Sequence, residues 1–371
     1  MHEQGILRKT AFWILLTVMS GLFLSGCATR TTIQKIRPAE ISVGEIHNLG
    51  ILNFGGPYGE IVRGDFYAKL AEVDHFSLID PSKTLALDKV VYDQIDDPRF
   101  TPALEDLKAD GVVTGMVTAS LNDMRGTDQV SMEEGTGRYQ KKKNIFGKLV
   151  DVEIKKTVLK PVPYIIRRGS LTAHFKLFNL TTKQIVATGK VTETYNEKFG
   201  GKEEHSFFGK KLSSLPARDA TINDLSKKVA NQLVKKISPT RIATMIQFDK
   251  GGTMGFGGNK VMLRGIEYAT KGLWEEALEQ WNEVIEQEPD NAAAYYNIGV
   301  AYESFGDLES LGKAKELYKK ALHLNDKGLY LDAVARVNNS IKDRKKYDLQ
   351  KQQMEQAPPP ENEQSGAIRI Y

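Results

Sequence analysis

The densest apolar stretch of the chain lies near its start. Ala11 to Leu24 runs for 14 residues without a charge, and Arg8 and Lys9 stand just before it. That is short of the roughly 20 residues a membrane-crossing helix needs. A basic start, a brief apolar run and then small residues predict a secretory signal peptide over 1–26. Residues 28–45 are polar and lack a strong period, so they predict a short tether.

Periodic patterning then sets in. HNLGILNFGG (47–56) predicts a buried strand ending in a glycine turn. EIVRGDFYAKLAEV (60–73) places apolar residues at 61, 62, 66, 67, 70 and 73, the spacing of an amphipathic helix. FSLID (76–80) predicts a short strand, Pro81 and Ser82 a turn, and TLALDKVVYDQ (84–94) a second helix. TPALEDLKAD (101–110) opens with Thr-Pro, a helix start, and GVVTGMVTASL (111–121) is a β-rich run. This order predicts a mixed sheet with helices packed on it.

Next, SLTAHFKLFNL and KQIVATGKVTETY, separated by Thr181-Thr182, predict a long hairpin. Leu171, Ala173, Phe175 and Leu177 fall on one face of its first strand, and Thr172, His174 and Lys176 on the other. DATINDLSKKVANQLVKKI (219–237) predicts an amphipathic helix stopped near Pro239, and RIATMIQF (241–248) a last strand. DKGGTMGFGGNK (249–260) is glycine-rich but lacks the Gly-Lys-Ser/Thr ending of a phosphate loop, so it predicts a linker.

From Gly258 a long period appears. Gly265 and Gly299, Tyr268 and Tyr302, and Gly272 and Gly306 are each 34 residues apart. That spacing resembles the tetratricopeptide repeat, whose small residues let helices approach and whose aromatics fill the gap between them. Ala277, Trp281 and Pro289 fit the later positions of the first repeat. Ala314, Tyr318 and Ala321 fit the second after a three-residue insertion around Glu309 to Leu311. GLYLDAVARVNNSIKDRKKY (328–347) predicts a capping helix, which a repeat array needs because each unit buries its apolar side on a neighbour. Such arrays bind peptides on a concave face. The resemblance implies partner contact at Tyr296, Asn297, Val300 and Glu303, with Asn297 able to hydrogen-bond an extended peptide backbone; the same residues could instead pack against the rest of the chain.

The single cysteine changes the picture most. Leu24-Ser25-Gly26-Cys27 resembles the lipobox of bacterial lipoproteins. The resemblance implies cleavage between Gly26 and Cys27, a diacylglycerol on the Cys27 sulfur, and acylation of the new amine. Each buried CH₂ then contributes about 0.8 kcal/mol to membrane attachment. Ala28 follows the cysteine, which by the same resemblance favours the outer membrane, facing the periplasm. A lipidated Cys27 leaves no thiol for a disulfide, a metal or a nucleophile.

Composition adds less. Apolar content of 41% and charged content of 26% are ordinary for globular protein. A net charge of +4 does not argue for nucleic acid, but its distribution is uneven. Between Thr136 and Lys183 twelve Lys and Arg face only Asp151 and Glu153. That segment suits anionic headgroups, an acidic partner or plain solvation. His2, His47, His75, His174, His205 and His323 show no metal spacing, and no G-x-S-x-G elbow is present. Glu133-Glu134 and Glu203-Glu204 lie in polar surroundings and read as solvated. No enzyme activity, cofactor or metal is expected.

The stretches LGILNFGG, DHFSLIDPSK, DGVVTGMVTAS and LTAHFKLFNLTTKQIVATGKVTETY together resemble the CsgG/HfaB family of outer-membrane lipoproteins. The resemblance covers residues 41–248. It implies an α/β domain of that kind, and two roles open to the family: an oligomeric export channel or activation of a peptidoglycan synthase. A channel needs membrane strands of about 9–11 residues with an apolar face. KLVDVEIKKTVL (148–159) aligns Val150, Val152, Ile154 and Val158, but Lys156 interrupts them, and EKFGGKEEHSFFGKK (197–211) is polar and Gly-rich. The expected layout is therefore a leader over 1–26, a lipidated N-terminus and tether over 27–45, and an α/β domain over 46–248. A Gly-rich linker over 249–257, tetratricopeptide repeats with a cap over 258–347 and a disordered tail over 348–371 complete it. The expected role is a non-enzymatic assembly or scaffold factor in the cell envelope. Its expected partners are envelope proteins, held through the repeats, and copies of itself.

Overall fold

A computed structural model of the chain describes residues 29–79, 92–95, 97, 99, 101–206, 208–252 and 259–355. Cys27, the leader, the expected turn at Pro81-Ser82, residues 84–91 of the second expected helix, the glycines of 253–258 and the tail beyond Glu355 lie outside the described residues. In chain order the strands are β1 (Arg30–Arg37), β2 (Asn48–Gly55), β3 (Ser77–Ile79), β4 (Gly111–Lys143), β5 (Leu149–Asn179), β6 (Gln184–Gly200) and β7 (Thr240–Gln247). The helices are α1 (Gly59–Val73), α2 (Thr101–Glu105), α3 (Arg218–Ile237), α4 (Lys260–Thr270), α5 (Trp274–Gln287), α6 (Ala292–Phe305), α7 (Leu308–Leu324) and α8 (Gly328–Glu355). No described helix is long and apolar enough to cross a membrane, which leaves membrane-crossing strands untouched.

The chain divides into two units, residues 40–238 and a repeat unit formed by the segments before Glu40 and after Ser238. In the first, the sheet order is β3-β2-β4-β5-β6. β2 runs parallel to β3 and β4, while β4, β5 and β6 pair antiparallel. β2 is buried on both faces through Leu49, Ile51, Leu52 and Phe54, as a central parallel strand must be. The turn after it demands glycine: Gly56 has φ of +85°, and a Cβ on Gly59 would sit 1.9 Å from the Phe54 carbonyl oxygen. α1 then lays Val62, Phe66 and Leu70 onto the sheet, and α3 packs beside it through Ile222, Leu225, Val229 and Leu233. Leu52, Val112 and Phe178 form a separate core with Ile95, Leu104 and Leu107.

Two features depart from expectation here. β4 does not end near Leu121 but continues to Lys143, and β5 begins at Leu149 rather than near Ser170. β6 ends with Gly200 opposite Tyr164. Beyond that point β4 and β5 run on as a two-stranded arm of about 15 residue pairs, roughly 50 Å long. At the arm's base Arg167 is buried and grips Asp123 through two nitrogens at 2.7 and 2.9 Å, while also donating to the Pro216 carbonyl and Thr221.

The repeat unit corrects the expected tether and linker. Residues 30–37 are a strand, paired residue for residue with β7 from Arg30↔Gln247 to Arg37↔Thr240. Ile33, Ile246 and Phe248 join the core of the helices, so this ribbon belongs to the repeats and the α/β unit is inserted between its two strands. The helices pair as α4/α5 and α6/α7, with α8 as cap. A Cβ on Gly265 would meet the Trp281 ring at 2.4 Å, and one on Gly299 would meet Tyr318 at 2.6 Å. The glycines therefore make room for the aromatic of the second helix in each pair. The insertion in the second repeat is taken up inside α7: α5 and α7 start 34 residues apart, but α7 has 17 residues against 14. Residues 348–355, expected in the disordered tail, extend α8 instead.

Candidate functional site

The repeat groove is built on the inner face of α6, a helix so rich in alanine and glycine that nearly all of it is buried. Tyr296, Asn297, Val300 and Glu303 line one stripe of it at helical spacing. The structure differs from an open groove, because this chain's own segment fills it. Tyr296 donates its hydroxyl hydrogen to the Gln247 carbonyl at 2.7 Å. The Asn297 amide holds the backbone of Asp249 from both sides, donating to its carbonyl at 2.8 Å and accepting from its N–H at 3.1 Å. Asp249, expected in a loose linker, receives hydrogen bonds from Lys327 at 2.7 Å and from the Tyr330 hydroxyl at 2.6 Å. Burial pushes its carboxyl up, and these two donors with the Gly251 N–H more than offset that, so it ionises below the ordinary range. Val300 is wholly buried in the repeat core.

Glu303 sits at the centre of a buried ionic cluster. Arg336 reaches it with Nε at 3.1 Å from both oxygens and Nη2 at 2.8 Å, Lys35 of β1 lies at 2.6 Å, and Tyr318 donates at 2.6 Å. Burial raises the Glu303 carboxyl, but Arg336 and Lys35 together hold it below the ordinary carboxylate range. Burial lowers Lys35 further than Glu303 restores it. Burial drives Tyr296 up to about 12 and also raises Tyr318 well above its ordinary value. None of these four groove residues, as placed, is open to solvent.

The second surface is the arm. Residues opposite one another on β4 and β5 share a face. One face carries Val130, Met132, Val150, Val152, Ile154, Val158 and Val162, interrupted by Asp128, Glu134, Gln140, Lys142, Lys156 and Lys160. The other is mostly polar. Glu133 and Glu134, read as solvated, form ion pairs with Lys155 and Lys160 across the ribbon. Between Gly126 and Lys143, and between Leu149 and Pro163, no further strand among the described residues pairs with the outer edges of either strand.

Other expected groups fall elsewhere. Glu203 lies 3.7 Å from Lys198, and Glu204 accepts from the Leu212 N–H. Burial, and then the charge of His47, pushes His75 down to about 4. Among the described residues no three His, Cys, Asp or Glu side chains gather as a metal site. Gly26 and Cys27 lie outside the described residues. Sequence reasoning missed Lys35, Arg336, Asp249 and Tyr330; the only local trace of β1 was the β-branched content of TTIQKI, without alternation.

Residues 265–306 match the family model described as TPR repeat. No curated protein matches the chain. Among solved structures, a PelC dodecamer from Paraburkholderia phytofirmans is similar at 13% identity and a TM-score of 0.23, covering 56% of this chain and 98% of that one. A point variant of the same dodecamer matches at 10% identity and a TM-score of 0.25, with the same coverage. At such scores the likeness says nothing of this chain's fold.

Proposed function

We propose that this chain is an outer-membrane lipoprotein, acylated at Cys27 and facing the periplasm, that works as a non-enzymatic assembly or scaffold factor in the cell envelope. The observation that carries this reading is the arm. A two-stranded ribbon is marginal in water on its own, and this one buries nothing of its own core along its outer length. Its open strand edges suit an added strand from a partner, which gains main-chain hydrogen bonds there. The tetratricopeptide match supports a role in protein–protein interaction. The motif resemblance of residues 41–248 supports placing the α/β unit with the CsgG/HfaB family.

The test is site-specific photo-crosslinking in cells, with the reactive group at Ser131 or Leu159 on the arm and, for comparison, at the exposed Lys227 on α3. The reading expects crosslinks to envelope proteins from the arm positions, lost when Cys27→Ser prevents anchoring. Equal labelling from Lys227, or arm labelling that ignores Cys27→Ser, would count against it. A second reading, an oligomeric export channel, is favoured by the apolar stripe of Val150, Val152, Ile154, Val158 and Val162. Against it, a lysine on a lipid-facing strand at midplane costs about 2–4 kcal/mol, and Lys156 and Lys160 both lie on this face. Rings in detergent with bilayer conductance would favour that reading.

A further inference from the structure

We propose that the tip of the β4–β5 arm is a membrane-docking element that inserts Ile145 and Phe146 into a bilayer bearing anionic phospholipid. This stands beside the lipoprotein reading rather than on it, because it needs no acylation at Cys27.

The turn is firmly built. The Asn144 N–H donates to the Lys148 carbonyl at 2.8 Å, and the Gly147 N–H to the Asn144 carbonyl at 2.9 Å. The Asn144 side-chain oxygen accepts from the N–H groups of Phe146 and Lys148, both at 3.0 Å. Gly147 has φ of +76°, a conformation glycine adopts without strain. Turns of this kind ordinarily show polar residues to water. Here the two outermost positions are Ile145, 93% exposed, and Phe146, 80% exposed, with Leu149 at 63% beside them. The turn holds them in place before any ligand arrives, so little ordering cost remains at docking.

The charge around them identifies the occupant. Arg138, Lys141, Lys142, Lys143 and Lys148 are all exposed, and against these five cations stand two carboxylates, Asp151 opposite Lys141 and Glu153 opposite Tyr139. The arm's ion pairs, Lys155–Glu133 and Lys160–Glu134, sit further down. Strand alternation puts Lys142 on one face and Lys141 and Lys143 on the other. The cations therefore encircle the apolar tip. A protein surface would meet one side of such a tip. A fluid layer of anionic headgroups can meet all sides, while the side chains at the end reach the acyl region and the lysine stems extend along it.

The experiment uses the full chain with Cys27→Ser and Ile145→Cys, labelled at position 145 with an environment-sensitive dye and reconstituted into phosphatidylcholine vesicles with or without phosphatidylglycerol. The expected result is a blue shift, with quenching by brominated lipid, only when phosphatidylglycerol is present and weakening as salt is added. Lys141→Gln, Lys142→Gln, Lys143→Gln and Lys148→Gln together should abolish it, and Phe146→Ser should weaken tip insertion about ten- to a hundredfold. Circular dichroism checks that each variant keeps its fold. A dye that stays in an aqueous environment on both vesicles, or enters both equally, overturns the proposal. So does a shift produced by soluble polyglutamate but not by vesicles, which would point to an acidic protein instead.

Discussion

Replacing Glu303 by glutamine tests the reading of the groove most directly. The side chain keeps its size but loses its charge, leaving Arg336 and Lys35 against a neutral amide. The Glu303 side chain is fully buried, and those of Lys35 and Arg336 are only 12% and 22% exposed. Leaving buried charges without their partner costs about 3–5 kcal/mol. The two cations are not equivalent. Arg336 makes three of the contacts to the carboxylate and also donates to the Tyr318 oxygen at 3.2 Å, whereas Lys35 is held with a net penalty from burial. Arg336→Met should therefore cost roughly 3 kcal/mol and Lys35→Met under about 1 kcal/mol.

The assay is urea unfolding followed by tryptophan fluorescence. Trp274 and Trp281 both lie in the repeat unit, and the third tryptophan, Trp13, in the expected leader, so the signal reports this unit. The pH dependence has a definite sign. The folded carboxyl of Glu303 ionises below its unfolded value of 4.5, so its contribution is fully present above that value and is lost as pH falls through the folded one. Glu303→Gln should lower stability near neutrality and flatten the acid limb. Unchanged urea midpoints for Glu303→Gln, or equal losses from Lys35→Met and Arg336→Met, would refute the assignment of the cluster.

Two further outcomes follow from packing and chain topology. Gly265→Ala forces a methyl into the Trp281 ring and should destabilise the repeat unit by about 1–3 kcal/mol, while Gly312→Ala, in α7 with nothing within 4 Å, should stabilise it by about 0.4–1 kcal/mol; both read from the same fluorescence transition. A fragment of residues 40–238 should fold alone and unfold cooperatively by circular dichroism, whereas a fragment ending at Asp249 should aggregate, because β1 and β7 then lose the helices that cover Ile33, Ile246 and Phe248.

How much of this was legible varied with how local the signal was. The glycine and aromatic positions of the repeats stood at a fixed period, and the structure gives the reason in the ring each glycine admits. α3 was legible because its apolar residues face one sheet. The outer part of β4 was not. Val130 and Met132 are isolated among Asp128, Glu133 and Glu134, so a strand wetted on both sides leaves little period-two signal. β1 was illegible for a different reason: its partner lies over 200 residues away, and a lone strand with Ile33 and Ile36 reads as a polar tether until β7 is beside it.

The filled groove also bears on where partners bind. An outside peptide competing for Asn297 must displace the backbone of Asp249, and with it the hydrogen bonds from Lys327, Tyr330 and Tyr296. Neutral hydrogen bonds are each worth about 0.5–1.5 kcal/mol net and charged ones about 1.5–3 kcal/mol. The resident segment is also covalently tethered through β7, which gives it an effective concentration in the millimolar range that a free peptide does not reach. Asn297 thus makes the backbone contacts the repeat resemblance implies, but it makes them to its own chain. On these grounds the α6 stripe is held by its own chain, and an outside peptide reaches Asn297 only by displacing that segment.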